Sequence, residues 1–218
     1  MPERHLHKVP GEIALEEAAL VEPSTIALAG IKRAELSPDS RVLVVGTGAI
    51  GLAAVGLLKS RGVRQILLSG RKPYKLDIGR QMGADVLINA KTQSTVAEVL
   101  SHTGGSGVDV VLETSGNISV LQELPDLAAP GGTIALIGFY EALLDAFPID
   151  KLVTKELTLR GVMGQFGLVE EVLPLMAAGK LDLKPLITHR FSFDQAIDAM
   201  KTAADKNETK IKMMVKIG

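Results

Sequence analysis

A doubly wound α/β fold on a six-stranded parallel sheet is the architecture that this sequence of 218 residues predicts. Three observations carry the expectation. Short runs rich in Val, Ile and Leu alternate with amphipathic runs of helical length, the order that a parallel sheet with crossover helices needs. Most of the short runs are continuously apolar, as strands covered on both faces are. A glycine-rich loop, "VVGTGAIGL" (Val44 to Leu52), stands between the first strand and its helix.

Taken in order, strands are expected at Arg41–Val45, Gln65–Ser69, Val86–Ile88, Val108–Leu112, Thr133–Ile137 and Leu157–Val162. Helices are expected at Ile50–Ser60, Pro73–Met82, Thr95–His102 and Ile118–Leu127. Gly62, Gly83, Gly104–Gly105 and Pro130–Gly132 punctuate their ends, because glycine takes the left-handed conformation that closes a helix. These elements define one unit over residues 37–165. Residues 1–36 read as a linker: an extended start in which His5 and His7 share one face, then helical segments interrupted at Pro23. Residues 166–218 read as a helix near Leu168–Ala178 stopped by Gly179, a strand near Ile187, a helix over Phe193–Ala204 and a last strand at Ile211–Ile217. Ser192 and Gln195 have the spacing of a capping box at the start of that second helix. The two tail strands have no obvious partner among the six.

Composition narrows the function. The net charge is −1, so no sequence-wide basic field attracts nucleic acid or an anionic membrane. There is no cysteine, which removes disulfides, thiolate metal ligands and thiol nucleophiles from consideration. The opening "MPERHLHKVP" has no apolar core of a signal peptide. The uncharged run Val42–Leu58 holds Gly46, Gly48, Gly51 and Gly56 and falls short of a membrane span. A cytoplasmic protein is the default expectation.

Gly46, Gly48 and Gly51 have G-x-G-x-x-G spacing directly after a strand and at the opening of a helix. In that context the first glycine permits a tight turn, the second lets backbone approach a pyrophosphate and the third lets helix and strand pack closely. Ala49 and Ile50, in the first turn, add amides and the positive end of the helix dipole. This is the fingerprint of a Rossmann dinucleotide site. Such a site normally ends its second strand on Asp or Glu about 20 residues on, bonded to the ribose hydroxyls. Here nineteen residues from Gly51 lead to Gly70, in "ILLSGRKP", and the carboxylate is missing. Arg71 offers a bidentate fork to a 2′-phosphate, Lys72 a point charge and Ser69 a further donor. At about 1.5–3 kcal/mol for each hydrogen bond to a charged group, a few such contacts favour NADP(H) over NAD(H) by tens- to roughly a thousand-fold. Replacing Gly70 by aspartate should move the preference toward NAD. Two plainer readings stand beside this one: a solvated basic turn before Pro73, and an adenosylmethionine loop, whose chemistry gives Arg71 and Lys72 no task.

The runs "EEAALVEP", "VLVVGTGAIGL", "MGADVLIN", "GVDVVLETSGN", "GGTIALIGF", "ELTLRGVMG" and "KPLITHRFSFDQAIDAM" cover nearly the whole chain. In content and order they resemble the C-terminal, cofactor-binding half of the zinc-dependent medium-chain alcohol and polyol dehydrogenases, of the sorbitol and threonine dehydrogenase branch. That resemblance implies the strand order 3-2-1-4-5-6 and a homodimer that pairs the edge strand near Thr158–Val162. It implies nicotinamide contacts at Ser115–Gly116, Gly138–Phe139 and Val162–Gly164. It also implies a GroES-like catalytic domain carrying zinc, a ligand cysteine and a Gly-His-Glu motif, none of which these residues contain. The N-terminal segment would then be the last strand of that domain, and Lys184–Gly218 the segment returning to it. Zinc is expected in the full-length family but not in this chain, with Glu22 in "LVEP" a ligand only in a complete enzyme. Catalytic zinc takes about three protein ligands, so Glu22 alone makes no site.

The chain alone is therefore expected to bind cofactor without catalysing hydride transfer between an alcohol or ketone and nicotinamide. The alternative is a non-catalytic dinucleotide-binding or dimerisation module. Of the other candidates, Tyr74 and Arg80 flank the basic turn and read as surface residues. His102 suits a helix C-terminus, His189 in "THRF" reads as structural, and Glu113 as a buried partner rather than a catalyst.

Overall fold

The computed structural model describes residues 3–164, 167–205 and 207–217. Glu3–His5 form a single 3-10 turn rather than a strand, and residues 6–10 follow without regular structure. Helices α1 (Leu15–Ala18) and α2 (Val21–Arg33) come next. Their break lies at Ala19–Leu20, not at Pro23. Pro23 sits in the first turn of α2, where an amide has no carbonyl to reach and its loss costs nothing.

Strands β1 (Arg41–Val45), β2 (Gln65–Gly70), β3 (Val86–Asn89), β4 (Val108–Glu113), β5 (Ala128–Leu136) and β6 (Thr158–Gly161) form one parallel sheet in the order β3-β2-β1-β4-β5-β6. The helices between them are α3 (Ala49–Ser60), α4 (Pro73–Gln81), α5 (Thr95–His102), α6 (Ile118–Leu121), α7 (Leu124–Leu127) and α8 (Ile149–Thr154). The expected helix over Ile118–Leu127 is two short ones, because Pro125 lacks the amide that would continue the first and instead opens the second. Strand β5 begins earlier than expected, at Ala128. Pro130 and Gly131 lie at an irregularity in its pairing with β4, where proline and a φ of +74° at Gly131 are tolerated.

Both sheet faces are covered. On β1 the side chains of Val42 and Val44 enter a core shared with α2, α3 and α9 (Val169–Ala177), while Leu43 and Val45 enter a second core with α5 and α7. Burial of successive residues on opposite faces is why the strand reads as an unbroken apolar run.

The tail strands β7 (Ile187–Ser192) and β8 (Lys212–Lys216) find their partners in each other, as a separate two-stranded parallel sheet. Between them lie a 3-10 turn at Phe193–Gln195 and α10 (Ala196–Ala204), with the capping box of Ser192 and Gln195 present. Leu181, Leu183, Leu186 and Ile187 belong to the same core as β1 and α3, which ties the tail to the sheet.

Candidate functional site

The order of the sheet reverses between β1 and β4, and the carboxyl ends of these neighbours leave a crevice where open α/β sheets bind ligands. A cavity of about 860 Å³ lies there, lined by the β1–α3 loop, the end of β2, the start of α5 and the residues after β4. Its charged lining is Arg71, Lys72, Lys75 and Lys91 against the single acid Glu123. The site attracts anions.

Each glycine of the loop has its own reason. Gly46 has a φ of +109°, and a Cβ there would lie 2.7 Å from Thr114 Oγ1. A Cβ on Gly51 would lie 2.1 Å from the Gly46 carbonyl oxygen, so helix and loop touch backbone to backbone. Gly48 is different: its φ of −75° suits any residue, and nothing lies within 4 Å of a Cβ placed on it. Neither conformation nor the protein's own atoms demand glycine there, so the space it leaves fits a group from outside. No side chain caps α3, and the amides of Ala49, Ile50 and Gly51 have no carbonyl one turn earlier to donate to. The residues present therefore fit a pyrophosphate.

At the end of β2, Ser69 is buried and shares a hydrogen bond of 3.2 Å with Thr95 at the start of α5. Gly70 is followed by Arg71 and Lys72, both exposed. Lys75, one turn on, lines the same cavity. The Nζ atoms of Lys72 and Lys75 lie 6.0 and 5.8 Å from the Tyr74 ring centroid, and the Tyr74 hydroxyl donates to the Lys210 carbonyl at 3.1 Å. Burial first, then the charges of Lys72 and Lys210, lower the Lys75 pKa. Arg80 is in the last turn of α4, at the end away from the cavity.

Beyond β4, Glu113 is fully buried and accepts from Ser115 N at 2.8 Å, from the Ser115 hydroxyl, from Gly116 N at 3.3 Å and from the Tyr140 hydroxyl at 2.6 Å. Burial and the neighbouring carboxylate push the Tyr140 phenol pKa well up, which keeps its proton as a donor. Glu113 is thus the buried partner the sequence suggests, and it holds the β4 and β5 loops together. Glu113→Ala leaves these donors without an acceptor and should lower stability by at least about 1.5–3 kcal/mol, read as a lower urea midpoint. Tyr140→Phe, which removes one donor, should lose less.

Ser115 lines the cavity; Gly116, Gly138, Phe139 and Val162 stand outside its lining. A Cβ on Gly116 would meet the Phe139 carbonyl oxygen at 2.4 Å, and one on Gly138 the Gly116 amide nitrogen at 2.4 Å, so these loops rest on each other. Phe139 is 76% exposed, and Val162 packs against the core of α2. Gly164 lies outside the lining too, its Cβ position meeting Ile26 of α2 at 2.4 Å.

Glu22 is exposed in the first turn of α2. His7 lies 3.8 Å from Glu170, His102 3.9 Å from Glu98, and His189 3.4 Å from Glu208 and 2.9 Å from the Thr188 hydroxyl. Among the described residues no three His, Asp or Glu side chains gather as metal ligands. No helix among them is long and apolar enough to cross a membrane.

Thr47, Lys75, Ser94, Thr95 and Asn117 also border the cavity and escape the sequence reading. Lys75 had a signal: a helix that opens with Lys72 and Lys75 and no acid opposes its own dipole, which is unfavourable unless an anion sits there.

Comparison with known proteins agrees with this geometry. Over 207 residues the chain is 30% identical to sorbitol dehydrogenase of Bacillus subtilis, covering 95% of this chain and 59% of that one. It is 30% identical to L-threonine 3-dehydrogenase of Pyrococcus horikoshii, covering 99% and 63%. An alcohol dehydrogenase from Escherichia coli, crystallised with NADH, superposes with a TM-score of 0.89 at 26% identity, over 97% of this chain and 62% of that one. The chain thus spans about three fifths of the length of these relatives. Residues 49–178, more than half of the chain, match the family pattern of zinc-binding dehydrogenases, and the protein belongs to that family, corresponding to its C-terminal half.

Proposed function

We propose that this chain is the NADP(H)-binding part of a zinc-dependent alcohol or polyol oxidoreductase, with NADP(H) preferred over NAD(H). The observation that carries the preference is the end of β2, where Gly70 stands in place of a carboxylate and Arg71, Lys72 and Lys75 follow. Bound nicotinamide dinucleotide would supply the hydride donor or acceptor. The chain's own task is to hold and orient it. The α3 amides and the open face of Gly48 receive the pyrophosphate, while Arg71 forks onto the 2′-phosphate and the lysines add point charges. Gly116, Gly138, Phe139 and Val162 are the positions proposed to frame the nicotinamide from the ends of β4, β5 and β6.

Titration calorimetry of the purified chain with NADPH and with NADH tests this directly. Binding with NADPH at least tenfold tighter is expected; equal affinities would refute the preference, and no binding of either would refute the cleft. Lys75, with its lowered pKa, loses its charge at a lower pH than an ordinary lysine. NADPH affinity should therefore weaken on the alkaline side before NADH affinity does.

A zinc ion would need ligands beyond those the described residues bring together, with Glu22 at most one of them. The chain alone is accordingly expected to turn over no alcohol, and zinc-dependent turnover by purified chain would sink that expectation. A second reading, a non-catalytic dinucleotide-binding and dimerisation module in the cytoplasm without nucleic-acid or membrane partners, draws on β6. Among the described residues that strand pairs with β5 alone, which leaves Leu159 43% exposed at an open sheet edge, and Met163, two residues past the strand's end, is 73% exposed. Under this proposal a second copy adds its own β6 to this edge. Leu159→Lys should then weaken self-association at least tenfold in analytical sedimentation. A wild-type chain that stays monomeric at high concentration removes the homodimer.

A further inference from the structure

We propose that Thr47 determines cofactor choice alongside Gly70, because its side chain fills the place that a carboxylate-bearing residue at the end of β2 would need. The inference rests on the NADP(H) reading above and adds a residue that the reading does not use. A Cβ placed on Gly70 falls 2.3 Å from Thr47 Cγ2, 2.8 Å from Oγ1 and 3.1 Å from Cβ. Carbon atoms in favourable contact stand about 3.5–4.0 Å apart. One of the two residues has to give way.

Neither gives way easily. Thr47 is β-branched, stiff at χ1 and only 8% exposed. Its backbone follows Gly46, whose amide donates to the Ser69 carbonyl at 2.9 Å and whose own Cβ position is closed by Thr114 and Ser115. Gly70 is buried, in register with Asn89 of β3, and its carbonyl accepts from Ala90 N at 2.9 Å. Gly70 is also not among the positive-φ glycines. Its conformation would admit another residue, and the three atoms nearest to a Cβ there all belong to Thr47.

The expectation that Gly70→Asp by itself turns the site toward NAD is therefore revised. The aspartate meets Thr47, and relief of that contact moves either the carboxylate off the ribose or the glycine loop off the pyrophosphate. The acid gains its place only when Thr47 is shortened. Thr47→Ala removes the two nearest atoms and leaves the 3.1 Å contact, which a shift of a few tenths of an ångström resolves.

The test is a double-mutant cycle of wild type, Gly70→Asp, Thr47→Ala and the double variant. Each protein is read by thermal unfolding without cofactor and by calorimetry with NADPH and NADH. Gly70→Asp alone should unfold at a lower temperature, lose NADPH affinity at least tenfold and gain none for NADH. The double variant should recover part of the midpoint and bind NADH at least tenfold tighter than Gly70→Asp alone. Additive midpoints overturn the interlock. Equal NADH affinity of Gly70→Asp and the double variant overturns the role in cofactor choice, even where the midpoints couple. If the wild type shows no NADPH preference, the parent reading fails by that result, while the cofactor-free cycle still decides the interlock. Should Gly70→Asp not fold, Gly70→Ala makes the same contact and carries the unfolding cycle.

Discussion

Gly48→Val should abolish binding of both NADPH and NADH while leaving the fold intact. The two halves of that expectation have separate physical grounds. The fold survives because Gly48 has an ordinary extended conformation, with φ of −75° and ψ of 177°, and because nothing in the protein lies within 4 Å of an added Cβ. Valine is also well suited to extended backbone. Binding fails because the isopropyl group stands at the mouth of α3, in the space through which a pyrophosphate would reach the amides of Ala49, Ile50 and Gly51. Both dinucleotides share the pyrophosphate, so their losses should be alike, at least a hundredfold each in calorimetry, with an unfolding midpoint within a few degrees of wild type. Gly51→Val is the control with the opposite signature, since its side chain would drive into the Gly46 carbonyl and unfold the loop. Normal binding by Gly48→Val would reduce the glycine loop to a turn.

Much of this molecule can be read from its sequence, for reasons that differ by region. The strands of the sheet are legible to within a residue or two at most ends, because burial on both faces imposes unbroken apolar runs, and those ending at Val45, Ser69 and Ile137 meet a glycine at once. Strand β5 is the exception, since Pro130–Gly132 look like a stop and are instead absorbed by an irregularity whose cause, pairing with β4, is not local. The tail strands show the same limit. Each reads correctly as a strand, yet their pairing with each other is a contact between residues about 25 apart that no periodicity encodes. In the cleft the residues identified by motif, Gly46, Gly48, Gly51, Ser69, Gly70, Arg71 and Lys72, all belong to the loop, helix start and strand end around one cavity. Thr47 and Thr95 carry no signal in the sequence, because their relevance is a distance to β2 that exists only once strand and loop are folded together. Ser115, Gly116, Gly138, Phe139 and Val162 follow from the resemblance, and of these Ser115 alone is in the cavity's lining.

Arg71→Ser with Lys72→Ser should bring the affinities for NADPH and NADH to within a few-fold of each other, mainly by weakening NADPH. The argument turns on what distinguishes the two cofactors. The 2′-phosphate is the one group they do not share, and near pH 7 it carries −1.5 to −2 charges. Arg71 and Lys72 are exposed, so their attraction acts through solvent and is screened by salt, with a Debye length of about 8 Å at physiological ionic strength. NADPH affinity of the wild type should thus fall steeply as salt is raised while NADH affinity falls little, and the double substitution should flatten the NADPH dependence. Lys75 remains in the variant, half-buried and bordering the same cavity, so some preference for NADPH should persist until Lys75→Ser is added. The order of effects separates the readings of this turn. A solvated basic loop would leave both affinities unchanged in the double variant. A phosphate clamp loses NADPH affinity by tens- to roughly a thousand-fold, as a few charge-assisted bonds of about 1.5–3 kcal/mol each require. A loss shared equally by NADH would instead place Arg71 and Lys72 against the pyrophosphate or adenine, and the preference would then rest on Gly70 and Thr47 alone.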